Sequence, residues 1–323
     1  MNALVALSCP QCSAPLPRAA RWRTVECVYC GTTVVRGEQT VRREEYRAAW
    51  KRAQSQAASA GAQVLRWRGA SYRVLARLGR GEHADVLLAE RLGPLPEQVT
   101  LKLALDDDGA RVLVREAAAL NALQALSVPG AAYFTRRLPQ PVGTGLAEGW
   151  SDGSRDALVL RHPTGFWGSL EAVRANQVQG IDPRHAVWLW RRMLEVLAFV
   201  HDAGWSHGAI APEHALVHPR NHGVLLIGWS QARPNASRAA AARDLRQSAW
   251  TLRALLQGAG DAAPGLGPHT PAPLASLLRD CSDGAGTCER LGARGIEAAL
   301  SDAARASFGA PEFVHFDPAP RGA

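Results

Sequence analysis

A chain of 323 residues is long enough for about two domains, and a hydrophobic content of 47% supplies at least one well-buried core. With 20% charged residues, 30 glycines and 20 prolines, it is neither an acidic disordered tail nor a collagen-like repeat. No apolar run approaches the roughly 18 residues of a membrane span, and the apolar stretch from Ala3 to Leu7 is short, with no basic residue before it. A cytoplasmic protein without a membrane span is therefore expected.

The net charge of +8 is unevenly placed, because residues 1–68 hold 11 Lys plus Arg against 4 Asp plus Glu. Arg18, Arg21, Arg23, Arg42 and Arg43 belong to this excess, a field suited to nucleic acid or another acidic surface, or to nothing beyond solvent. Only two of the basic residues are lysines, Lys51 and Lys102. A lysine presents a compact, mobile point charge that arginine does not, so Lys102 draws attention as a contact for phosphate in a narrow pocket.

In chain order, residues 1–36 are rich in Cys and Pro and read as a mini-domain of small strands. Cys9-Pro10-Gln11-Cys12 and Cys27-Val28-Tyr29-Cys30 are two CxxC pairs with 14 residues between them, so two tight turns can bring four thiolates around one tetrahedral ion. The arrangement resembles a zinc ribbon, with Zn2+ held by Cys9, Cys12, Cys27 and Cys30. Four cysteine ligands close the coordination sphere, which makes the zinc structural, and so small a module needs it to fold. Cys281 and Cys288 lie in a helical context and read as buried small hydrophobes.

Residues 37–63 carry Val41, Tyr46, Ala49, Trp50 and Ala53 at helical spacing and predict a linker helix. From Val64 the pattern turns to strands separated by glycine-containing turns, a small antiparallel sheet. Residues 109–126 form a strong helix, and 155–162 an apolar strand. Residues 184–202 are apolar around much of the circumference and predict a helix central to a second lobe. Further helices are expected over 243–257 and 273–308, and the proline-containing stretch 309–323 reads as a flexible tail.

Gly79-Arg80-Gly81-Glu82-His83-Ala84-Asp85-Val86 lies between two strands, in the placement of a glycine-rich loop over nucleotide phosphates. Lys102 follows on a strand and Glu116 within the next helix. Further on come Trp205-Ser206-His207-Gly208-Ala209-Ile210-Ala211-Pro212-Glu213-His214 and then Leu226-Ile227-Gly228-Trp229. Together these resemble, in order, the glycine-rich loop, lysine, helix glutamate, catalytic loop and DFG motif of protein kinases. The resemblance covers about residues 70–308. It implies an α+β, bilobal protein-kinase-like fold preceded by the ribbon and linker. Its β-rich N-lobe would span about 64–162 and its mainly α-helical C-lobe about 163–308. Arg243-Asp244-Leu245 would start the helix after the activation segment.

By the same resemblance, the residues that carry phosphoryl transfer are replaced. The catalytic-loop aspartate is Ala209, the lysine two residues later Ala211, the metal-binding asparagine His214 and the DFG aspartate Gly228. One neutral imidazole does not replace an aspartate on a hard cation, so no ordinary magnesium clamp remains. Only sixteen steps separate Gly228 from Asp244, a truncated activation segment without an APE sequence. Arg290, which resembles the late-helix arginine that pairs with the APE glutamate, is thereby left without an evident partner. Gly79, Gly81, Val86, Lys102 and Glu116 are retained, so ATP, with or without Mg2+, is the ligand they would meet. The alternative for Lys102 and Glu116 is a structural ion pair with no ligand between. His201 and His207 read as core or loop-ordering residues.

The expectation is thus a catalytically impaired pseudokinase that acts as a signalling scaffold or regulator, its kinase-like part presenting a surface to an unidentified signalling protein while the basic ribbon docks elsewhere. Two alternatives are an unconventional active phosphotransferase that rebuilds its metal site from Glu213 or Asp85, and a zinc-ribbon nucleic-acid-binding regulator.

Overall fold

The computed structural model describes residues 63–318, except 94–96, 151–152, 221 and 259–265, and the backbone of four short strands before them. Those strands are β1 (Leu4–Val5), β2 (Thr24–Glu26), β3 (Thr33–Val35) and β4 (Thr40–Val41). β2 pairs antiparallel with β3, and β1 with β4. The strand at Thr40–Val41 corrects the helix expected from residue 37, whose remaining stretch to 62 lies outside the described residues.

Six strands follow: β5 (Val64–Trp67), β6 (Ala70–Arg80), β7 (Ala84–Arg91), β8 (Glu97–Ala104), β9 (Pro141–Trp150) and β10 (Gly153–Arg161). They close into an antiparallel barrel in the order β10-β8-β7-β6-β5-β9. Together with seven helices among the described residues, this closed barrel overturns the bilobal protein-kinase-like architecture expected from the motif order. The physical cause is β9. Its glycine-rich sequence carries no clean alternation of apolar residues, yet it pairs with β10 on one side and β5 on the other, Arg66 opposite Glu148 and Trp67 opposite Ala147. Gly149 permits that closure: its φ is +91°, and a Cβ there would stand 2.8 Å from the Val64 carbonyl oxygen. Leu65, Trp67, Tyr72, Leu87, Val99, Leu101, Leu103 and Val159 fill the barrel.

The helices are α1 (Asp107–Gln124), α2 (Ala131–Phe134), α3 (Leu170–Asn176), α4 (Pro183–Asp202), α5 (Arg238–Gln257), α6 (Ala272–Ser282) and α7 (Ala285–Phe308). No helix among the described residues is long and apolar enough to cross a membrane. α4 starts at Pro183, with Asp182 capping the Arg184 amide at 2.8 Å, and buries Trp190, Met193, Leu194, Val196, Leu197 and Val200. The outer barrel residues Ala84, Ala104, Leu158 and Leu160 join this helical core, so one apolar cluster runs from barrel to helices. The short strand β11 (Gly168–Ser169) precedes α3, and between α4 and α5 come β12 (Trp205–Ser206), β13 (Ala215–His218), β14 (Gly223–Leu226) and β15 (Arg233–Pro234). β13 lies between β11 and β14 in one sheet, and β12 pairs with β15.

The stretch after α7, expected as a flexible tail, packs against the helices as far as it is described, to residue 318. Phe316 is buried against His185 and His222, and the Asp317 carbonyl accepts from Gln177 Nε2 at 3.2 Å. Aromatic surface drives this docking, a signal hidden among the prolines and charges of the segment. His222 is fully buried, with Nε2 3.0 Å from His185 Nδ1; burial first, then the neighbouring His185, Arg192 and His315, lower its pKa to about 3.

His207 is buried as well, and desolvation lowers its pKa to about 4 against the pull of Asp244. Both histidines are held neutral in the folded chain, while in the unfolded chain they take up protons near pH 6.5. The stability they contribute is present above pH 6.5 and is lost as the pH falls toward about 4 for His207 and about 3 for His222. From pH 7 to 5 the expected loss is on the order of 3 kcal/mol for the two together. Urea unfolding at pH 7, 6 and 5 checks this; a transition midpoint that does not move would refute it.

Candidate functional site

The site forms where α1 and the segment after β14 meet the outer face of β8. Leu101 and Leu103 point into the barrel, so Lys102 between them faces the helices. Its Nζ donates to both carboxylate oxygens of Glu116, each at 2.7 Å, and the two side chains are only 13% and 3% exposed. Glu116 is placed by α1, which Asp106 starts by accepting from the Gly109 amide at 2.7 Å. Glu116 Oε1 also accepts from the Trp229 amide at 3.3 Å. The pair thus joins a barrel strand, a helix and the segment after β14.

Val86 stands directly opposite Lys102 in the β7–β8 register, and Gly79 opposite Val86 in the β6–β7 register. Gly81 lies in the turn between β6 and β7, where its amide is engaged by the Ala84 carbonyl at 2.9 Å. The retained glycine-loop residues therefore stand beside Lys102 as a tight hairpin whose Gly81 donor is already engaged.

The four replaced positions are gathered around one histidine. His214 Nδ1 donates to the Ala209 carbonyl at 2.7 Å, its own amide donates to the Ala211 carbonyl at 3.0 Å, and its carbonyl accepts from Ile227 N at 2.8 Å. Gly228 follows with φ +79°, and a Cβ there would lie 2.9 Å from Cδ2 and 3.1 Å from Nε2 of the His214 ring. The position expected to hold a metal-binding acid is left-handed and closed by an imidazole.

Asp244 organises the loop from below. Fully buried on α5, it accepts from the amides of His207 at 2.7 Å and Gly208 at 2.8 Å, and from His201 Nε2 at 3.1 Å. His207 Nδ1 accepts from the Ala209 amide at 3.2 Å, so its Nε2 carries the proton and donates to the Ile227 carbonyl at 3.1 Å. Its ring packs edge-on against Trp229 at 4.4 Å, and Trp229 Nε1 donates to the Leu226 carbonyl at 2.8 Å. His201 and His207 order the loop, as their sequence context suggests. The parts played by Asp244 and Trp229 are not foreseen in the sequence; the only signal is one acid in the Ala- and Arg-rich run 238–246.

Neither substitute acid is placed to clamp a metal at Gly228. Asp85 points into the barrel mouth, on the opposite face of β7 from Val86, where Arg77 pairs with it, Arg155 Nη1 lies at 2.9 Å and Arg80 Nε at 3.9 Å. Glu213 is exposed. Among the described residues no group of three or more His, Cys, Asp or Glu could hold a metal ion. Cys9, Cys12, Cys27 and Cys30 lie outside the described residues, although β2 and β3, which flank Cys27 and Cys30, pair with each other, Glu26 opposite Thr33. Cys281 and Cys288 are free and buried, the Cys288 thiol donating to the Cys281 carbonyl at 3.1 Å.

No protein-family model matches the chain, and no curated protein matches it.

Proposed function

We propose that this chain is a catalytically silent regulator of the pseudokinase kind, a binding protein whose Lys102–Glu116 pair works as a structural latch. The resemblance that supports it is one of residue order, since the closed barrel departs from the architecture of protein kinases. The observation that carries the reading is the pairing of Lys102 with Glu116, which also accepts from the Trp229 amide, beside a Gly228 packed on the His214 ring. Phosphoryl transfer is largely positioning and charge stabilisation by metal-bound acids; Ala209, Ala211 and Gly228 carry no ionisable side chain, and His214 offers an imidazole, packed on Gly228, where a metal ligand would be needed.

The test is transfer of labelled γ-phosphate from ATP to the chain itself or to a mixture of protein acceptors, with Mg2+ or Mn2+. No transfer above a blank is expected. The Gly228→Asp variant is expected to remain inactive and to lose about 1–3 kcal/mol of stability, from a side chain in left-handed backbone pressed on His214. Metal-dependent transfer that vanishes in Lys102→Ala and Glu213→Ala would establish the phosphotransferase reading instead.

A structural Zn2+ held by Cys9, Cys12, Cys27 and Cys30 belongs to the same proposal, supported by the two CxxC pairs and by the mutual pairing of the strands that flank the second. One Zn2+ per chain is expected by elemental analysis, and loss of that metal in Cys27→Ser with the Cys281→Ser variant unaffected. Full zinc retention in Cys27→Ser would reject this ligand set.

A further inference from the structure

A cavity of about 350 Å³ opens between α4, α5 and α7, away from the Lys102 site. Its floor is apolar, with Leu245, Cys288 and Ala293, and its rim is charged, with Arg238, Arg290, Arg294, Asp202 and Glu289. α7 breaks here at Gly292, whose φ of +63° and ψ of 179° leave the helix, and the break sets back the wall that holds Ala293. The segment from Gly228 to Ser237 runs so directly into α5 that it contributes no residue to the lining. Arg290, without an evident partner in the sequence, stands at this rim.

The rim charges are unequally matched. Arg294 Nη2 pairs with Asp202 Oδ2 at 2.5 Å, which accounts for one carboxylate. Arg238 Nε donates to the backbone carbonyl of Glu289 at 2.9 Å, a contact that leaves its charge uncompensated. Among the described residues neither Arg238 nor Arg290 has a carboxylate within ion-pair distance. Two exposed guanidinium groups therefore stand at the rim of an apolar floor, with Glu289, exposed and in no ion pair among the described residues, as the remaining acid of the lining.

We propose that this cavity is the docking site for an acidic segment of a protein partner, one carboxylate entering between Arg238 and Arg290 while a neighbouring apolar side chain covers Leu245 and Cys288. The guanidinium fork matches a carboxylate in two-point geometry, and a cavity of this volume accommodates a few side chains. A nucleic acid would need a wider basic field than two guanidinium groups at an apolar opening. The inference deepens the regulator reading by naming the chemistry of the partner.

The test uses the zinc-loaded full chain and a fluorescein-labelled dodecapeptide of glutamate with interspersed leucines, followed by anisotropy at low salt. Saturable binding is expected, weakened at least tenfold in Arg290→Glu and at least tenfold when the peptide glutamates are replaced by glutamine. Arg136→Glu changes the net charge equally on an exposed turn away from the cavity and is expected to leave binding unchanged. The proposal is overturned by absence of binding, by equal weakening in Arg290→Glu and Arg136→Glu, or by equally strong competition from a single-stranded oligonucleotide. Phosphate transfer is read out separately, so each result stands or falls without the other.

Discussion

Replacing Glu116 with alanine is expected to destabilise the chain by about 3–5 kcal/mol, because it leaves the Lys102 ammonium buried without its counter-charge. The Trp229 amide loses its acceptor in the same step. Lys102→Met is expected to be costly for the mirror reason, a carboxylate 3% exposed with no cation beside it. The double change Lys102→Met with Glu116→Leu removes both charges and is expected to recover most of the loss, leaving about 1–3 kcal/mol for the orphaned Trp229 amide. Urea unfolding of the four proteins gives the coupling energy directly. Single-variant losses below about 1 kcal/mol would mean the pair is not a latch.

The second large effect is expected at Asp244. Asp244→Ala takes one acceptor from two backbone amides and a histidine in a fully buried position, and a cost of about 3–5 kcal/mol follows from leaving such donors unpaired. Asp244→Asn retains one accepting oxygen but turns an NH2 group toward one of the donors, so a smaller loss is expected. Hydrogen exchange reads the local consequence: the amides of His207 and Gly208 become exposed while those of the barrel strands stay protected. Unchanged protection at His207 and Gly208 in Asp244→Ala would remove Asp244 from its organising place.

The chain could be read most surely where one local rule governs. The helix formers over 109–126 and the run over 184–202, apolar around much of its circumference, are placed by the structure at Asp107–Gln124 and Pro183–Asp202. Lys102 and Glu116 were legible as a pair through the residue order that resembles protein kinases, and the structure places one on a strand with alternating burial and the other on the buried face of the next helix. β9 was not legible: its glycines answer to the close approach of another strand, a requirement set by tertiary closure and invisible to periodicity. With β9 unread, the strands from Val64 are taken only as a small antiparallel sheet, and the bilobal architecture follows from the resemblance in residue order. The docking of Phe316 escaped notice because a few aromatic contacts on a buried histidine pair leave no pattern along the chain. The left-handed Gly228 could be read as a missing acid, but not as a position closed by His214, since only the structure brings the two together.

In the proposed latch Lys102 serves Glu116, which in turn holds the Trp229 amide, with no magnesium nucleotide between lysine and carboxylate. Calorimetric titration of ATP into the zinc-loaded full chain, with and without Mg2+ and alongside Lys102→Ala, tests it most directly. No Mg2+-dependent heat of binding is expected in either protein. Saturable, Mg2+-dependent binding to the natural chain that disappears in Lys102→Ala would contradict it and make the pair part of a nucleotide site.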